Sequence, residues 1–207
     1  MDTFVYIDAF NLYYGCLKKT PYRWLDIRQL CRLMLPTNNV VRIKYFTARV
    51  GARTNDPDQP IRQQMYLRAL GTLPEVEVHY GHYLNHKVKM LLAQPQPGGP
   101  KFVEVIKTEE KGSDVNLATH LISDANERRF NVAVLITNDS DLLGPVELVT
   151  KRPGKKVGVL NPQKHPALVL ARAATFFKTI RPGALAASQF PNTLTDTNGR
   201  FSKPKGW

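Results

Sequence analysis

Cysteine is nearly absent from this 207-residue chain, which carries only Cys16 and Cys31. That excludes a framework of several disulfides, the usual staple of small secreted folds. An even count still allows one bridge, but both residues sit in apolar, helix-like stretches and are expected to be buried free thiols. Long hydrophobic runs are missing too: no stretch reaches the roughly 18 apolar residues of a membrane span. The opening Met1-Asp2-Thr3 lacks the positive patch and apolar core of a signal peptide, so the expected location is cytoplasmic, with no membrane partner. Acidic residues are scarce beside basic ones, 17 Asp+Glu against 29 Lys+Arg, for a formal net charge of +12. Such an excess favours nucleic acid or another polyanion as partner. At 43% hydrophobic and 22% charged, the chain reads as an ordinary globule able to bury a core without staples.

What is present is alternation. Strand-like and helix-like segments take turns, the pattern of an α/β fold with a mainly parallel sheet and helices on both faces. Strands are expected over residues 3–8, 40–48, 75–80, 131–136, 156–160 and, at an edge, 176–180. Helices are expected over 11–18, 26–35, 61–70, after Ser113, from Asp141 or Pro145, and over 166–174. The turn-rich run Pro95-Gln96-Pro97-Gly98-Gly99-Pro100 separates flanks at 83–92 and 101–107 that suit a projecting antiparallel hairpin. Ser113 is the expected N-cap of a helix with an apolar stripe of Val115, Ala118, Ile122 and Ala125, widened by Leu117 and Leu121. Residues 1–182 read as one domain. Residues 183–207 lack periodicity and read as a flexible or loosely docked tail, whose Arg200, Lys203 and Lys205 lie among Phe190, Phe201 and Trp207.

Four aspartates fall where strands hand over to helices or loops. Asp8 ends Phe4-Val5-Tyr6-Ile7, Asp114 opens a helix in Lys111-Gly112-Ser113-Asp114-Val115, and Asp139 and Asp141 occupy Thr137-Asn138-Asp139-Ser140-Asp141. The carboxyl ends of strands in an open α/β sheet share one edge, and sites form in the crevice there. Carboxylates crowded at that edge repel one another unless a cation neutralises them. An all-oxygen set suits Mg²⁺ or Mn²⁺ rather than zinc. Such ions lower the pKa of a water and clamp phosphate oxygens, the two needs of phosphodiester hydrolysis. The first helical turn is expected to hold Asp114 ionised, and the amides of Ser140 and Leu142 are candidates to hold a phosphate oxygen. Singly, each aspartate also suits a cap or turn; the joint arrangement is what points to a nuclease.

The stretches Ile7-Asp8-Ala9-Phe10-Asn11, Lys111-Gly112-Ser113-Asp114-Val115-Asn116-Leu117-Ala118 and Thr137-Asn138-Asp139-Ser140-Asp141-Leu142 resemble the NYN domain, LabA-like branch, of the PIN-like nuclease superfamily. The resemblance covers about residues 3–180 and implies a three-layer α/β/α sandwich with a central mainly parallel sheet. It also implies a divalent-metal-dependent endoribonuclease. Asp8, Asp114, Asp139 and Asp141 are then the catalytic and metal-binding cluster, and Asn11 steadies the first aspartate or touches a phosphate. Asn138 stands where the family often has glycine, and Ser113 where a small apolar residue is usual; neither departure removes a carboxylate.

Asn11, Lys111, Asn138, Ser140, Arg49 and Arg53 are the substrate-binding candidates, with Arg62 beside the same polar loop. A solvated basic loop is the plainer role of the arginines. Tyr13 and Tyr14 suit base stacking, though helix packing accounts for them as well. His79, His82 and His86 invite a zinc reading, but a spacing of three along a strand turns the first two to opposite faces. Glu109 and Glu110 are candidates to join the cluster, though an exposed strand end is their plainer role. RNA is the expected partner, with DNA and a homo-oligomer left open. The alternatives are a structure-specific DNA nuclease, for which no helix-hairpin-helix or long arch is visible, and a non-catalytic nucleic-acid-binding module, against which the four intact aspartates speak. A haloacid-dehalogenase-type phosphatase needs Asp-x-Asp after the first strand, where this chain has Phe10 in the third place.

Overall fold

A computed structural model describes residues 1–207. In chain order the strands are β1 (Asp2–Asp8), β2 (Asn39–Thr47), β3 (Val76–Tyr80), β4 (His82–Leu91), β5 (Phe102–Lys111), β6 (Val132–Ile136), β7 (Lys156–Asn161), β8 (Phe176–Thr179), β9 (Thr193–Asp196) and β10 (Gly199–Ser202). The helices are α1 (Ala9–Leu12), α2 (Ile27–Met34), α3 (Gln59–Leu70), α4 (Ser113–Asn126), α5 (Leu143–Lys151), α6 (Leu168–Ala173) and α7 (Pro182–Ala186). A π-helical turn extends α1 through Leu17, and a 3-10 turn at Ser140–Leu142 leads into α5.

Six strands form one parallel sheet in the order β3-β2-β1-β6-β7-β8. Its central strands are apolar throughout because both faces are covered, as parallel sheets require. Val5 and Ile7 of β1 join Ile27 and Leu30 of α2 and Tyr66, Ala69 and Leu70 of α3 in one core. Phe4 and Tyr6, pointing the other way, join Leu117 and Leu121 of α4, Val146 and Val149 of α5 and Leu170 of α6. The result is the expected three-layer α/β/α sandwich. Strands β4 and β5 pair only with each other, in antiparallel register from His82↔Lys111 to Leu91↔Phe102, and project from it.

Two expectations are corrected. Ser113 does not cap α4: the cap position is Gly112 at φ 96°, a left-handed conformation that glycine adopts freely. The carboxylate of Glu110 takes the capping role instead, accepting from the Ser113 amide at 3.0 Å and its hydroxyl at 2.8 Å. The buried face of α4 is Leu117, Leu121, Asp124 and Ala125, whereas Val115 is 68% exposed. The leucines at i and i+4 are its centre, not its margin.

Residues 183–207, expected as a flexible or loosely docked tail, pack on the core beside α2 and α3. Leu185, Phe190 and Phe201 are buried, and the ring of Trp207 lies 5.3 Å from that of Tyr66. Arg68 grips Asp196 with two hydrogen bonds of 2.7 Å. Single aromatic anchors at irregular spacing leave no periodicity to read. Both cysteines are free, Cys31 buried and Cys16 half-buried, and burial pushes each thiol up to about 12.

Candidate functional site

The strand order runs outward in opposite directions from β1 and β6, so the crevice past their carboxyl ends is the topological switch point of the sheet. Asp8 is the last residue of β1 and caps α1, its Oδ1 accepting from the Asn11 amide at 2.9 Å. Its Oδ2 accepts from the Thr137 hydroxyl at 3.1 Å, which ties the ends of β1 and β6 together. Asp139 caps the 3-10 turn after β6 and accepts from the Asp141 amide at 3.0 Å. Asp114 enters from the first turn of α4.

These carboxylates feel one another. Burial pushes the Asp8 carboxyl up to about 6, and the charges of Asp114 and Asp139 add to the rise against the opposing hydrogen bonds from Asn11 and Thr137. Asp114 is raised as well, by burial first and then by Asp139, Glu110 and Asp141. The surface exposure of Asp114 is substantial, so the neighbouring charges carry weight alongside partial burial. The direction is opposite to the lowering that the helix start alone would give. None of the four aspartates has a lysine, arginine or histidine nitrogen within 4.0 Å. Hard oxygen donors that repel each other and lack an internal counter-charge fit Mg²⁺ or Mn²⁺ by donor chemistry. No three acidic, histidine or cysteine side chains close on a single point, so the carboxylates line the crevice as an open array.

Substrate candidates divide into rim and framework. The Asn11 side-chain oxygen accepts from the Asn138 amide at 3.0 Å and from Gln163 at 3.2 Å. Asn138 donates to the His165 carbonyl at 2.9 Å and accepts from the Ala167 amide at 2.7 Å, fastening the loop after β7. The Leu142 amide is engaged by the Asp139 carbonyl at 3.3 Å; Ser140 is exposed beside it. Lys111 ends β5, half exposed, 3.7 Å from Glu109. Arg49 lies over the Tyr80 ring at 5.3 Å, and Arg53 sits in the exposed loop whose charge reaches Tyr83. Arg62 is paired with Asp56. The three strand histidines separate: His79 packs against Phe46 and His120, while His82 and His86 belong to β4.

Thr137 and Gly81 are residues beside the crevice that motif reading passed over, and Glu110, weighed there chiefly as a strand end, fixes the start of α4. An ideal Cβ on Gly81 would lie 2.5 Å from the Lys111 carbonyl oxygen and 2.9 Å from the Ser113 amide, and would strike the Glu110 carboxylate. Gly81→Ala is therefore expected to destabilise by about 1–3 kcal/mol through overpacking and to lower activity by shifting the start of α4. Gly51→Ala, with nothing within 4 Å, is the neutral control; urea midpoints and assays of both variants check this.

Residues 2–181 match the family model of the NYN domain. The chain belongs to the NYN domain family. That family is nuclease-like, which brings nucleic acid forward as the substrate class. Among curated proteins, this NYN chain is similar to 6-hydroxy-3-succinoylpyridine 3-monooxygenase HspA of Pseudomonas putida, at 31% identity over 236 aligned residues that take in 100% of this chain and 75% of that one. Among solved structures, a protein of unknown function from Vibrio parahaemolyticus shares the fold with a TM-score of 0.57 and 22% identity, over 87% of this chain and 93% of that one. No helix of this NYN domain is long and apolar enough to cross a membrane.

Proposed function

We propose that this NYN domain is a ribonuclease of the cytoplasm that hydrolyses phosphodiester bonds inside RNA chains with Mg²⁺ or Mn²⁺ held by Asp8, Asp114, Asp139 and Asp141. The reading is supported by aspartates from three separate elements that line the switch-point crevice with no internal cation, and by the raised proton affinity of Asp8 and Asp114, to which neighbouring aspartates add. When bound, the ion supplies an activated water and offsets charge on the phosphate. The chain's own residues hold the frame: Thr137 and Asn11 fix Asp8, Glu110 fixes the start of α4, and Asn138 and Gln163 fix the crevice wall. Arg49, Arg53 and Lys111 supply cations at the rim for the RNA backbone.

The test is digestion of end-labelled RNA and matched single-stranded DNA with Mn²⁺, Mg²⁺ or EDTA. Internal cleavage of RNA with metal and none in EDTA is expected. Cleavage confined to DNA would transfer the reading to a DNA nuclease, and binding without cleavage of either would make the domain a binding module. Each phosphate neutralised on a single strand contributes about −0.7 to the slope of log affinity against log salt. Replacing Arg49, Arg53 and Lys111 together by alanine should therefore flatten that slope by about 2 units, measured in EDTA by fluorescence anisotropy.

The similarity along the whole chain to a hydroxypyridine monooxygenase favours a second reading, in which the same crevice serves oxygen insertion into a small ring. Such a reaction consumes O₂ and two electrons from a reductant, one oxygen atom entering the ring and the other leaving as water. Incubation with 6-hydroxy-3-succinoylpyridine, O₂ and reduced nicotinamide or flavin should then consume substrate, O₂ and reductant together, read by mass spectrometry and by the absorbance of the reductant. Unchanged substrate under all of these conditions removes the second reading.

A further inference from the structure

Beside Asp8, on the face covered by α1 and α3, lies a cavity of about 110 Å³. Its walls are aromatic: Phe10, Tyr13, Tyr14, Tyr45, Tyr66 and Trp207. Ala9 and Phe10, which follow Asp8 directly, form the side nearest the crevice. The Asp8 charge adds to burial in raising the Tyr45 hydroxyl pKa, so cavity and carboxylates share one electrostatic neighbourhood.

Two hydroxyls give the cavity polar character. Tyr45 and Thr47 are 7% and 2% exposed, both line the cavity, and they lie two residues apart on β2, hence on one face of the sheet. The neighbouring Tyr66 hydroxyl is satisfied by the Leu25 carbonyl at 2.9 Å. Those of Tyr45 and Thr47 have no protein partner, yet neither is among the fully enclosed orphan atoms of the fold. They therefore open into the cavity they line. Water reaches both hydroxyls there, and a polar group on a guest ring can take the place of that water.

The walls are held before any guest arrives. Gln63 accepts from the Val50 amide at 2.9 Å and donates to the Ala48 carbonyl at 2.8 Å, pinning the loop after β2. Arg62 pairs with Asp56 at the rim, and Arg23 donates to the Gly206 carbonyl, which fixes the chain next to Trp207. Aromatic walls stack on a flat π-face, as they do on bases in single-strand binders. An apolar cavity of about 150 Å³ holds one benzene. At about 110 Å³ the space beside Asp8 falls short of that, so it favours one six-membered ring over a fused bicycle, with the ring reaching the open mouth of the pocket.

We propose that this cavity is a ring pocket for a planar, six-membered nitrogen heterocycle bearing an oxo or hydroxyl group, with Tyr45 and Thr47 hydrogen-bonding that group. The ring is a pyrimidine base of a nucleic acid or a free ring of the same chemistry. Its link to cleavage rests on the nuclease reading; ring binding itself does not.

Trp207 lines the pocket and Trp24 lies fully buried 6.3 Å from it, so tryptophan fluorescence reports on occupancy. The protein in EDTA is titrated with uridine and adenosine 5′-monophosphates and with 2-hydroxypyridine, and the affinities are checked by calorimetry. Saturable binding of at least one single-ring ligand is expected, about tenfold or more tighter than adenosine monophosphate. Tyr45→Phe keeps ring and volume, so it preserves the fold and weakens single-ring binding by roughly tenfold, the loss of one hydrogen bond. Tighter binding of uridine monophosphate than of 2-hydroxypyridine identifies the nucleic-acid base as guest, and the reverse order identifies the free ring. Equal binding of adenosine monophosphate, absence of saturable binding, or a Tyr45→Phe variant with wild-type affinity would each overturn the pocket. Cleavage of oligouridine against oligoadenosine keeps the two readings apart. Ring binding without any cleavage removes only the nuclease reading, while cleavage by a protein that binds no single ring removes only the pocket.

Discussion

Asp8→Asn is expected to make the metal-free protein more stable at pH 7.5 by about 1–3 kcal/mol while lowering metal-dependent cleavage by about a thousandfold or more. The Asp8 carboxyl has a folded pKa of about 6 against an ordinary 3.8. A carboxyl raised on folding contributes stability in its protonated form. That contribution is complete below about pH 4, is lost as pH rises through the window up to about 6, and is gone at neutral pH. A shift of about two units corresponds to roughly 3 kcal/mol. Asparagine has the same shape, still accepts from the Asn11 amide through its oxygen, and carries no charge to bury. Urea midpoints in EDTA should thus separate variant from wild type at pH 7.5 and converge towards pH 4. A variant less stable than wild type at pH 7.5 would show that Asp8 is a structural cap and not a strained ligand.

Asp124→Ala carries the largest expected loss of stability, about 3–5 kcal/mol. Asp124 and Lys44 are 2% and 3% exposed and meet at 2.5 Å beneath α4. The same carboxylate accepts from the Tyr6 hydroxyl at 2.7 Å, and Lys44 also meets His120 at 3.3 Å. Removing Asp124 leaves an ammonium buried between β2 and α4 with only a ring nitrogen beside it, together with an unsatisfied phenol. The double change Lys44→Met with Asp124→Leu restores an apolar interior and should lie closer to wild type than Asp124→Ala alone. Urea unfolding of the single and double variants measures this; a single variant within about 0.5 kcal/mol of wild type would mean that water reaches the pair.

The outer parts of this pattern were legible because parallel strands covered on both faces must be continuous apolar runs. The strands of β1, β2, β3, β6, β7 and β8 accordingly lie within about a residue of their expected places, and the Pro-rich run does join a hairpin. What stayed hidden depends on contacts between distant residues. Lys44 sits in an apolar strand as if misplaced until Asp124 is brought to it by α4. Gly112 and Glu110 displaced Ser113 as the cap because a left-handed glycine turns the chain so that a glutamate three residues back reaches the helix start. Sequence placed Tyr45 and Thr47 only within a strand over 40–48; the packing of α1, α3 and Trp207 is what makes them line a cavity. At the site, the positions of Asp8 and Asp139 followed from strand ends, whereas the rise in proton affinity at Asp8 and Asp114 follows from burial and mutual charge that spacing does not express.

Binding of Mn²⁺ to the purified chain, followed by the electron paramagnetic resonance signal of the free ion, tests the shared cation site most directly because it does not require the right nucleic acid. The expected result is saturable loss of the free-ion signal with wild-type protein, competition by Mg²⁺, and strong weakening in both Asp8→Asn and Asp139→Asn. A wild-type protein that leaves the signal unchanged, or variants that bind Mn²⁺ as tightly as wild type, would contradict a cation site built from these aspartates.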